Sequence, residues 1–259
     1  MCQYVMFSCC ATKAAFRVPI TTKMTSIQGT DADSIEPITI RIGILEVQGA
    51  FNEHQVALKK AQKRLYHDCK LEIIGVRHPD HITDRMDGLI IPGGESTTMS
   101  LFLKRNKMVE PLQSWIDCKR HVTWGTCAGM ILLSKQTENQ EIGGQPSLAE
   151  MDTDVSRNFF GRQVNSFESP VTLKQSLLGT DTDNTNTYHG VFIRAPAVVN
   201  CSPEVTVLAT LQRKEQKDVI VAVQQGNILA TAFHPELTED VRWHVHFIRM
   251  IQNCKQNYT

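Results

Sequence analysis

Apolar runs that alternate with helical patterns constrain this chain most strongly. Ile38–Leu45, Leu71–Val76 and Gly88–Ile91 have the length and the aliphatic composition of buried strands. Phe51–Tyr66 lies between the first two and carries apolar residues at helical spacing. Strands and helices that alternate at this spacing form parallel sheets through right-handed crossovers. The sequence therefore predicts an α/β fold, with three layers in which helices flank a mostly parallel sheet.

The same patterns predict the other elements. The apolar residues of the helix at 51–66 are Val56, Ala57, Leu58, Ala61 and Leu65. Further helices are predicted at Thr97–Lys107, Val109–Cys118 and Ala128–Lys135, with a short strand at His121–Trp124. The second half is richer in strands, at Val205–Leu211, Val219–Gln224 and Ile228–Phe233. The last helix is predicted to begin at Thr238, where Glu239 and Asp240 suit the positive end of a helix.

Composition excludes several classes of function. Basic and acidic residues number 27 each, so the chain lacks the excess of positive charge typical of nucleic-acid binding. No apolar run approaches the roughly 20 residues of a membrane-spanning helix. The eight cysteines are scattered without a CxxC pair, which argues against a disulfide framework and against a zinc site. We therefore expect reduced thiols, no metal and no cofactor.

Residues 1–37 differ from the rest of the chain. No Asp or Glu occurs before residue 31, whereas Lys13, Arg17 and Lys23 are basic. Such a segment is either a disordered extension of a cytoplasmic protein or a weak organellar targeting signal. The folded domain is predicted to occupy residues 38–259.

The strongest chemical signal is Gly125-Thr126-Cys127-Ala128-Gly129, between an apolar strand and a helix. This is the pattern of a nucleophile elbow, with Cys127 in the place of the serine of hydrolases. The helix N-terminus favours a thiolate, and the backbone N–H of Ala128 is positioned to bind an oxyanion. A buried structural cysteine in a glycine-flanked turn is the alternative interpretation.

A cysteine nucleophile needs a proton-transfer partner, and His234-Pro235-Glu236 supplies a candidate. In an extended segment, residues i and i+2 project to the same side, so Glu236 can hold one ring nitrogen of His234. The other nitrogen is then free to face Cys127. Taken alone, a surface histidine beside a helix-start glutamate explains this segment equally well.

A glycine-rich turn, Pro92-Gly93-Gly94-Glu95-Ser96-Thr97, follows a predicted strand at the same edge of the sheet. Two glycines let backbone N–H groups approach a ligand closely, so Gly94 is a candidate second oxyanion donor. Ser96 or Thr97 is alternatively a helix N-cap, and the two roles are compatible.

Together these segments resemble the triad-type (class I) glutamine amidotransferases, which have a flavodoxin-like fold. Within that class they resemble the glutaminase subunits of pyridoxal 5′-phosphate synthase. The similar segments run in order along the chain from about residue 38 to 254. They are Gln48-Gly49-Ala50, Pro92–Met99, Gly125–Gly129, Arg157-Asn158, Phe160–Gln163, Ser166–Glu168, Phe192–Pro196 and Phe233–Thr238.

The resemblance implies a role for each matching residue. Cys127, His234 and Glu236 match the catalytic triad. The positions that match the glutamine-binding residues are Gly94, Glu95, Ser96, Arg157, Ile193 and Arg194. One arginine would hold the substrate carboxylate and Glu95 would face its ammonium, because free glutamine carries both charges. Gln48 matches a residue at the contact with the synthase subunit, a separate chain that receives the ammonia.

Three departures from the family pattern stand out: Glu46 occupies a position that is usually apolar or glycine, the loop at Thr180–Tyr188 is long, and the N-terminal segment is additional. None touches the triad. Three other functions stay open at this point. They are a glutaminase that serves a different synthase, a non-enzymatic interaction protein of the same fold, and a cysteine peptidase.

Overall fold

The computed structural model describes residues 38–65, 69–138, 147–161, 166–174, 186–213 and 217–258. The predicted N-terminal extension 1–37 lies outside the described residues, as do Arg162, Gln163 and most of the long loop after residue 174. Every residue proposed for the site lies inside them. No helix in these ranges is long and apolar enough to cross a membrane.

The described part of the chain contains twelve strands and five α-helices. The strands are β1 (Ile38–Leu45), β2 (Cys69–Val76), β3 (Gly88–Ile91), β4 (Val122–Thr126), β5 (Ser134–Glu138), β6 (Met151–Ser156), β7 (Ser166–Leu173), β8 (Thr187–Ile193), β9 (Ala197–Cys201), β10 (Thr206–Leu211), β11 (Val219–Gln225) and β12 (Ile228–Thr231). The helices are α1 (Phe51–Arg64), α2 (Ser96–Arg105), α3 (Val109–Asp117), α4 (Ala128–Leu133) and α5 (Arg242–Tyr258). Two 3-10 turns also occur: Pro79–His81 follows β2, and Pro235–Leu237 lies between β12 and α5.

The sheet has a parallel centre and an antiparallel extension. Its order is β2-β1-β3-β4-β12-β11-β10-β7-β8, and the strands from β2 to β12 pair in parallel. From β12 to β8 the pairs are antiparallel. Strand β9 pairs antiparallel with both β11 and β6, and β6 pairs in parallel with β5. All residues of β3 and β4 are buried, as expected for parallel strands covered on both faces. The predicted parallel core is therefore confirmed.

Helices cover both faces of the parallel centre. A Cβ built on Gly88 would touch Ile251 and Phe247 of α5, whereas Ile91 lies against Gly129 of α4. Residues three apart in a strand point to opposite faces, so α5 and α4 lie on opposite sides of β3. Helix α1 packs beside α5, and α2 packs beside α4. This is the three-layer arrangement predicted from the sequence.

Several predicted boundaries were wrong. Helix α4 ends at Leu133, because Ser134 and Lys135 begin β5 and pair with β6. Helix α5 begins at Arg242 and not at Thr238, since the 3-10 turn comes first and the side chain of Asp240 accepts the N–H of Arg242. The five strands β5 to β9 were not predicted, because most of them include exposed residues and lack a continuous apolar run.

The apolar face of α1 also differs from the prediction. Val56 is 53% exposed, whereas Ala57, Leu58, Ala61 and Leu65 are buried as expected. The buried face begins instead with His54, which is 0% exposed. The positions i, i+3, i+4, i+7 and i+11 from His54 make one helical stripe, so a histidine occupies a core position of this helix.

The unusual acid Glu46 lies in a polar cluster at the end of β1. Its carboxylate accepts hydrogen bonds from Arg77, at 2.7 Å, and from the side-chain amide of Gln55, at 2.9 Å. A Cβ built on Gly75 would lie 2.4 Å from the same carboxylate. The acid is accommodated because two donors neutralise it and a glycine leaves it space.

Candidate active site

Cys127 occupies a strained turn between β4 and the six-residue helix α4. Its φ angle is 48°, a value that side-chain-bearing residues rarely adopt. Its N–H donates to the carbonyl of Thr231 at 2.8 Å, which fixes the turn to strand β12. The flanking glycines provide space, since a Cβ on Gly125 would lie 2.6 Å from the backbone of Gly129. The cysteine itself therefore takes the unusual conformation, and the flanking glycines leave it space.

The thiol of Cys127 and the imidazole of His234 meet beside Gly93. A Cβ built on Gly93 would lie 2.3 Å from Cε1 of His234 and 3.3 Å from Cβ of Cys127. Both side chains are buried, at 6% exposure each. Parallel neighbours β4 and β12 end at the same sheet edge, which brings together two residues that are distant in the sequence.

Glu236 holds the ring of His234 from the opposite side. His234 Nδ1 lies 2.8 Å from Glu236 Oε1, and the glutamate side chain is fully buried. The other ring nitrogen, Nε2, has no hydrogen bond of normal geometry to a described residue, and it is the nitrogen available to Cys127. The imidazole of His234 thus lies between the thiol of Cys127 and the carboxylate of Glu236.

The close approach of these side chains shifts the pKa values of His234 and Glu236. Burial disfavours a charged ring, but Cys127 and Glu236 outweigh it and raise the pKa of His234 to about 10. Burial alone would raise the pKa of Glu236, but His54 and His234 beside it hold that pKa below its ordinary value. The arrangement therefore favours a protonated His234 held by an ionised Glu236 at neutral pH.

A cavity of about 550 Å³ opens in front of Cys127. It is large enough for a small substrate. The predicted site residues that line it are Gln48, Gly94, Glu95, Ser96, Cys127, Ala128, Arg157, Ile193, Arg194 and His234. Glu236 lies behind His234 and does not reach the cavity wall. The structure thus gathers all eleven predicted residues at one place, ten of them around the cavity.

Glu95 caps helix α2. Its carboxylate accepts the N–H groups of Thr97, at 3.1 Å, and of Thr98, at 2.7 Å. Partial burial opposes ionisation, but these hydrogen bonds hold the pKa of Glu95 below its ordinary value. Arg157 approaches the same carboxylate at 3.4 Å. The N-cap is therefore Glu95, not Ser96 or Thr97, and its negative charge remains 43% exposed at the cavity wall.

The segment after β8 brings a backbone carbonyl to the nucleophile. The thiol of Cys127 donates to the carbonyl of Ile193 over 3.7 Å. The next residue, Arg194, has a φ angle of 46° and is exposed at the cavity. It forms no ion pair within the ranges that the structure describes. Its guanidinium is consequently available to an anionic group in the cavity.

Gln48 and Gly49 pack against the glycine-rich turn. Gly49 has a φ angle of +90°, and a Cβ on it would lie 1.6 Å from the carbonyl oxygen of Gly93. Gln48 lies next to Gly94, and its side-chain oxygen is buried. A displacement of this segment would thus reach the turn that carries the candidate oxyanion donor.

A second layer of polar residues, behind His234 and Glu236, was not predicted from the sequence. His54 of α1 lies 3.4 Å from Glu236 Oε2 and 3.3 Å from Thr126 Oγ1, and its other nitrogen lies 3.0 Å from His244 of α5. A histidine on an otherwise apolar helix face was the available signal, because a buried imidazole needs partners.

A family model described as the SNO glutamine amidotransferase family matches residues 44–253. The chain belongs to this family. Among its curated relatives, a probable pyridoxal 5′-phosphate synthase subunit PDX2 from Arabidopsis thaliana is 41% identical, and the match covers 83% of this chain and 87% of that protein. A pyridoxal 5′-phosphate synthase subunit PdxT from Methanosarcina barkeri is 43% identical, and the match covers 82% and 98%.

Solved structures agree with this assignment. A crystal structure described as a glutamine amidotransferase matches with a TM-score of 0.65 and 38% identity, covering 82% of this chain and 98% of that one. The class I glutamine amidotransferase fold expected from the resemblance is therefore confirmed.

Proposed function

We propose that this chain is the glutaminase subunit of a pyridoxal 5′-phosphate synthase. It hydrolyses L-glutamine to glutamate and ammonia and passes the ammonia to a separate synthase subunit. The observation that carries the proposal is the meeting of Cys127, His234 and Glu236 beside a cavity sized for a small substrate. The names of the relatives support the same activity.

The first half-reaction transfers the γ-glutamyl group to sulfur. The Cys127 thiolate attacks the side-chain amide carbon of glutamine and forms a tetrahedral oxyanion. Backbone N–H groups of Gly94 and Ala128 hold this oxyanion, and loss of one such donor typically costs about 3 kcal/mol of transition-state stabilisation. His234 then protonates the departing ammonia, which leaves a γ-glutamyl thioester. The raised pKa of His234 suits it to carry this proton.

The second half-reaction releases glutamate. His234, now neutral, takes a proton from a water molecule that attacks the thioester carbon. The second tetrahedral intermediate collapses, glutamate leaves and the thiolate is restored. Glu236 stays ionised throughout and stabilises the imidazolium, which loses its proton to ammonia in the first half-reaction and forms again in the second.

Charged groups around the cavity suit a free amino acid better than a peptide. Arg194 is the better placed arginine for the α-carboxylate, because Arg157 already contacts Glu95. Glu95 keeps a partly exposed negative charge that can face the α-ammonium. Ser96 and the backbone of Ile193 complete the binding positions. A peptide substrate would carry neither terminal charge at these places.

The contact between Gln48-Gly49 and the glycine-rich turn supports coupling to the synthase subunit. A partner that binds at Gln48 would press on the backbone of Gly93 and Gly94. The partner would thereby order the oxyanion donors, so glutamine would be hydrolysed mainly when an ammonia acceptor is present.

Ammonia release from glutamine tests the proposal, measured for the wild type and Cys127→Ala with and without the synthase subunit. We expect activity that rises with the partner in the wild type and none in the variant. Activity of Cys127→Ala would contradict the chemistry, and equal wild-type turnover with and without the partner would contradict the coupling. Ammonia transfer to a different synthase would support the alternative assignment within the same fold.

A further inference from the structure

The second carboxylate oxygen of Glu236 faces a histidine that lies outside the triad. Oε1 is bound to His234, whereas Oε2 has no hydrogen bond of normal geometry to a described residue and lies 3.4 Å from Nε2 of His54. The side chains of His54 and Glu236 are both 0% exposed. A buried carboxylate is stable only where its oxygens meet donors, so a donor at this histidine nitrogen would help to keep Glu236 ionised.

His54 is itself fixed on three sides. Its Nδ1 lies 3.0 Å from Nε2 of His244, and its Nε2 lies 3.3 Å from the hydroxyl of Thr126. Trp124 contacts both imidazoles edge-on, with ring centroids 5.6 Å and 4.9 Å apart. These contacts fix the orientation of the ring, and one of them is to Thr126, the residue immediately before the nucleophile.

Burial favours the neutral form of both rear histidines, His54 and His244. Burial lowers the pKa of His54, although Glu236 partly offsets this. Burial lowers the pKa of His244 to well below its ordinary value, and His54 adds to the effect. A neutral imidazole has one N–H and one bare nitrogen, so the contact between the two rings requires one of them to donate.

The neighbours favour one pairing of tautomers. If His244 donates through Nε2, then His54 carries its proton on Nε2, between the hydroxyl of Thr126 and Glu236 Oε2. In the opposite pairing, the bare Nε2 of His54 could accept from Thr126, but Glu236 Oε2 would lose the donor nearest to it. That pairing would also leave a buried N–H on His244 Nδ1, which has no partner among the described residues. Buried N–H groups without partners are rarer and more costly than bare acceptors.

We propose that His54 is a positioning residue of the triad: its Nε2–H holds Oε2 of Glu236, so that Oε1 stays directed at His234. The device extends the catalytic chain from the sheet edge to helices α1 and α5. It acts on the nucleophile through Glu236 and His234 and does not touch the substrate.

The substitutions His54→Gln and His54→Asn can distinguish a hydrogen bond to Glu236 from a role in core packing alone. The side-chain nitrogen of glutamine can occupy the place of Nε2, whereas that of asparagine reaches only the place of Nδ1. His54→Gln therefore keeps a donor to Glu236, and His54→Asn loses it. Both replace the ring by a smaller polar group, so a role limited to filling the core predicts similar losses for the two.

The assay, which rests on the proposed glutaminase activity, is ammonia release in the presence of the synthase subunit. We expect the kcat of His54→Asn to fall about tenfold with KM changed less than about twofold, the factor expected for one lost hydrogen bond to a charged group. His54→Gln should stay within about threefold of the wild type. Equal losses in the two variants, or none in His54→Asn, would overturn the proposal.

Alkylation of Cys127 by iodoacetamide at neutral pH, followed by mass spectrometry of its peptide, tests the same idea without glutamine or partner. A misdirected Glu236 stabilises the imidazolium less, so His54→Asn should be alkylated about tenfold more slowly than the wild type. An unchanged rate contradicts the role of His54. A wild type that releases no ammonia would instead refute the glutaminase function and leave this comparison valid.

The wild-type protein offers a test that does not depend on the folding of any variant. Long-range ¹H–¹⁵N spectra distinguish the two neutral tautomers of a histidine, and His54→Gln identifies the signals of His54. We expect His54 protonated on Nε2. Protonation on Nδ1 would place a bare nitrogen against Glu236 and would rule the proposal out.

Discussion

The substitution Gly49→Ala tests whether the packing of Gly49 against the glycine-rich turn is needed for activity. The φ angle of Gly49 is +90°, and a Cβ at this position would lie 1.6 Å from the carbonyl oxygen of Gly93 and 2.7 Å from its carbonyl carbon. Both are backbone atoms, so no side chain can rotate away. Gly93 in turn lies against His234 and Cys127.

The magnitude follows from two separate effects. An alanine at positive φ strains the backbone by about 1–2 kcal/mol. Relief of the clash requires the turn to shift by more than about 1 Å, and a misplacement of that size at an active site can lower the rate about 100-fold. We therefore expect kcat to fall about 100-fold. The loss of stability should remain small enough for the protein to fold.

Gly226→Ala is the matched control. Gly226 also has a positive φ, +55°, but a Cβ there would meet no atom within 4 Å. This variant should lose about 1 kcal/mol of unfolding free energy and keep its kcat. Ammonia release gives kcat, and urea denaturation gives the unfolding free energy. The reasoning fails if Gly49→Ala keeps its kcat within about threefold of wild type at a stability loss equal to that of Gly226→Ala.

Three further predictions concern the charged groups. Glu236→Gln should lower kcat by about 10³-fold or more in the ammonia assay, because a neutral amide stabilises the imidazolium poorly. The pKa of His234 is raised from 6.5 to about 10, so its contribution to stability should be complete below pH 6.5 and lost as the pH rises through about 10. Urea denaturation at stepped pH checks this, and the loss should be smaller in Glu236→Gln. Arg194→Ala should raise KM for glutamine about tenfold with kcat unchanged, whereas a similar effect from Arg157→Ala alone would assign the carboxylate to that residue.

The parallel centre of the fold could be predicted because its strands have no solvent face. A strand such as β3 is apolar throughout, and its neighbours in the sheet follow from the alternation with helices. Strand β7 shows why the rest could not. Its first five residues, Ser166–Pro170, alternate between exposed and half-buried, and a proline within such a run argues against a strand. Its place depends on pairing with β8 and β10, and local sequence does not encode that pairing.

The triad could be predicted because each member belongs to a short segment with its own stereochemistry. His54 could not be predicted in its role, because its partners Glu236 and His244 lie on segments far away in the sequence. The helical pattern of α1 places His54 on the core side, but it does not say what the core offers there. The capping role of Glu95 was missed for a different reason, since N-cap preferences favour shorter side chains such as serine.

Backbone strain also concentrates at the cavity. Cys127, Asn158 and Arg194 all have positive φ angles near 50°, Gly49 has one of +90°, and all four line the cavity wall. Side-chain-bearing residues hold such angles only where the surrounding structure imposes them. Here the imposing contacts are long-range, such as the bond from the Cys127 N–H to Thr231 of the neighbouring strand. The rigid parallel centre thus sustains the strain that presents the nucleophile and the binding groups to one small volume.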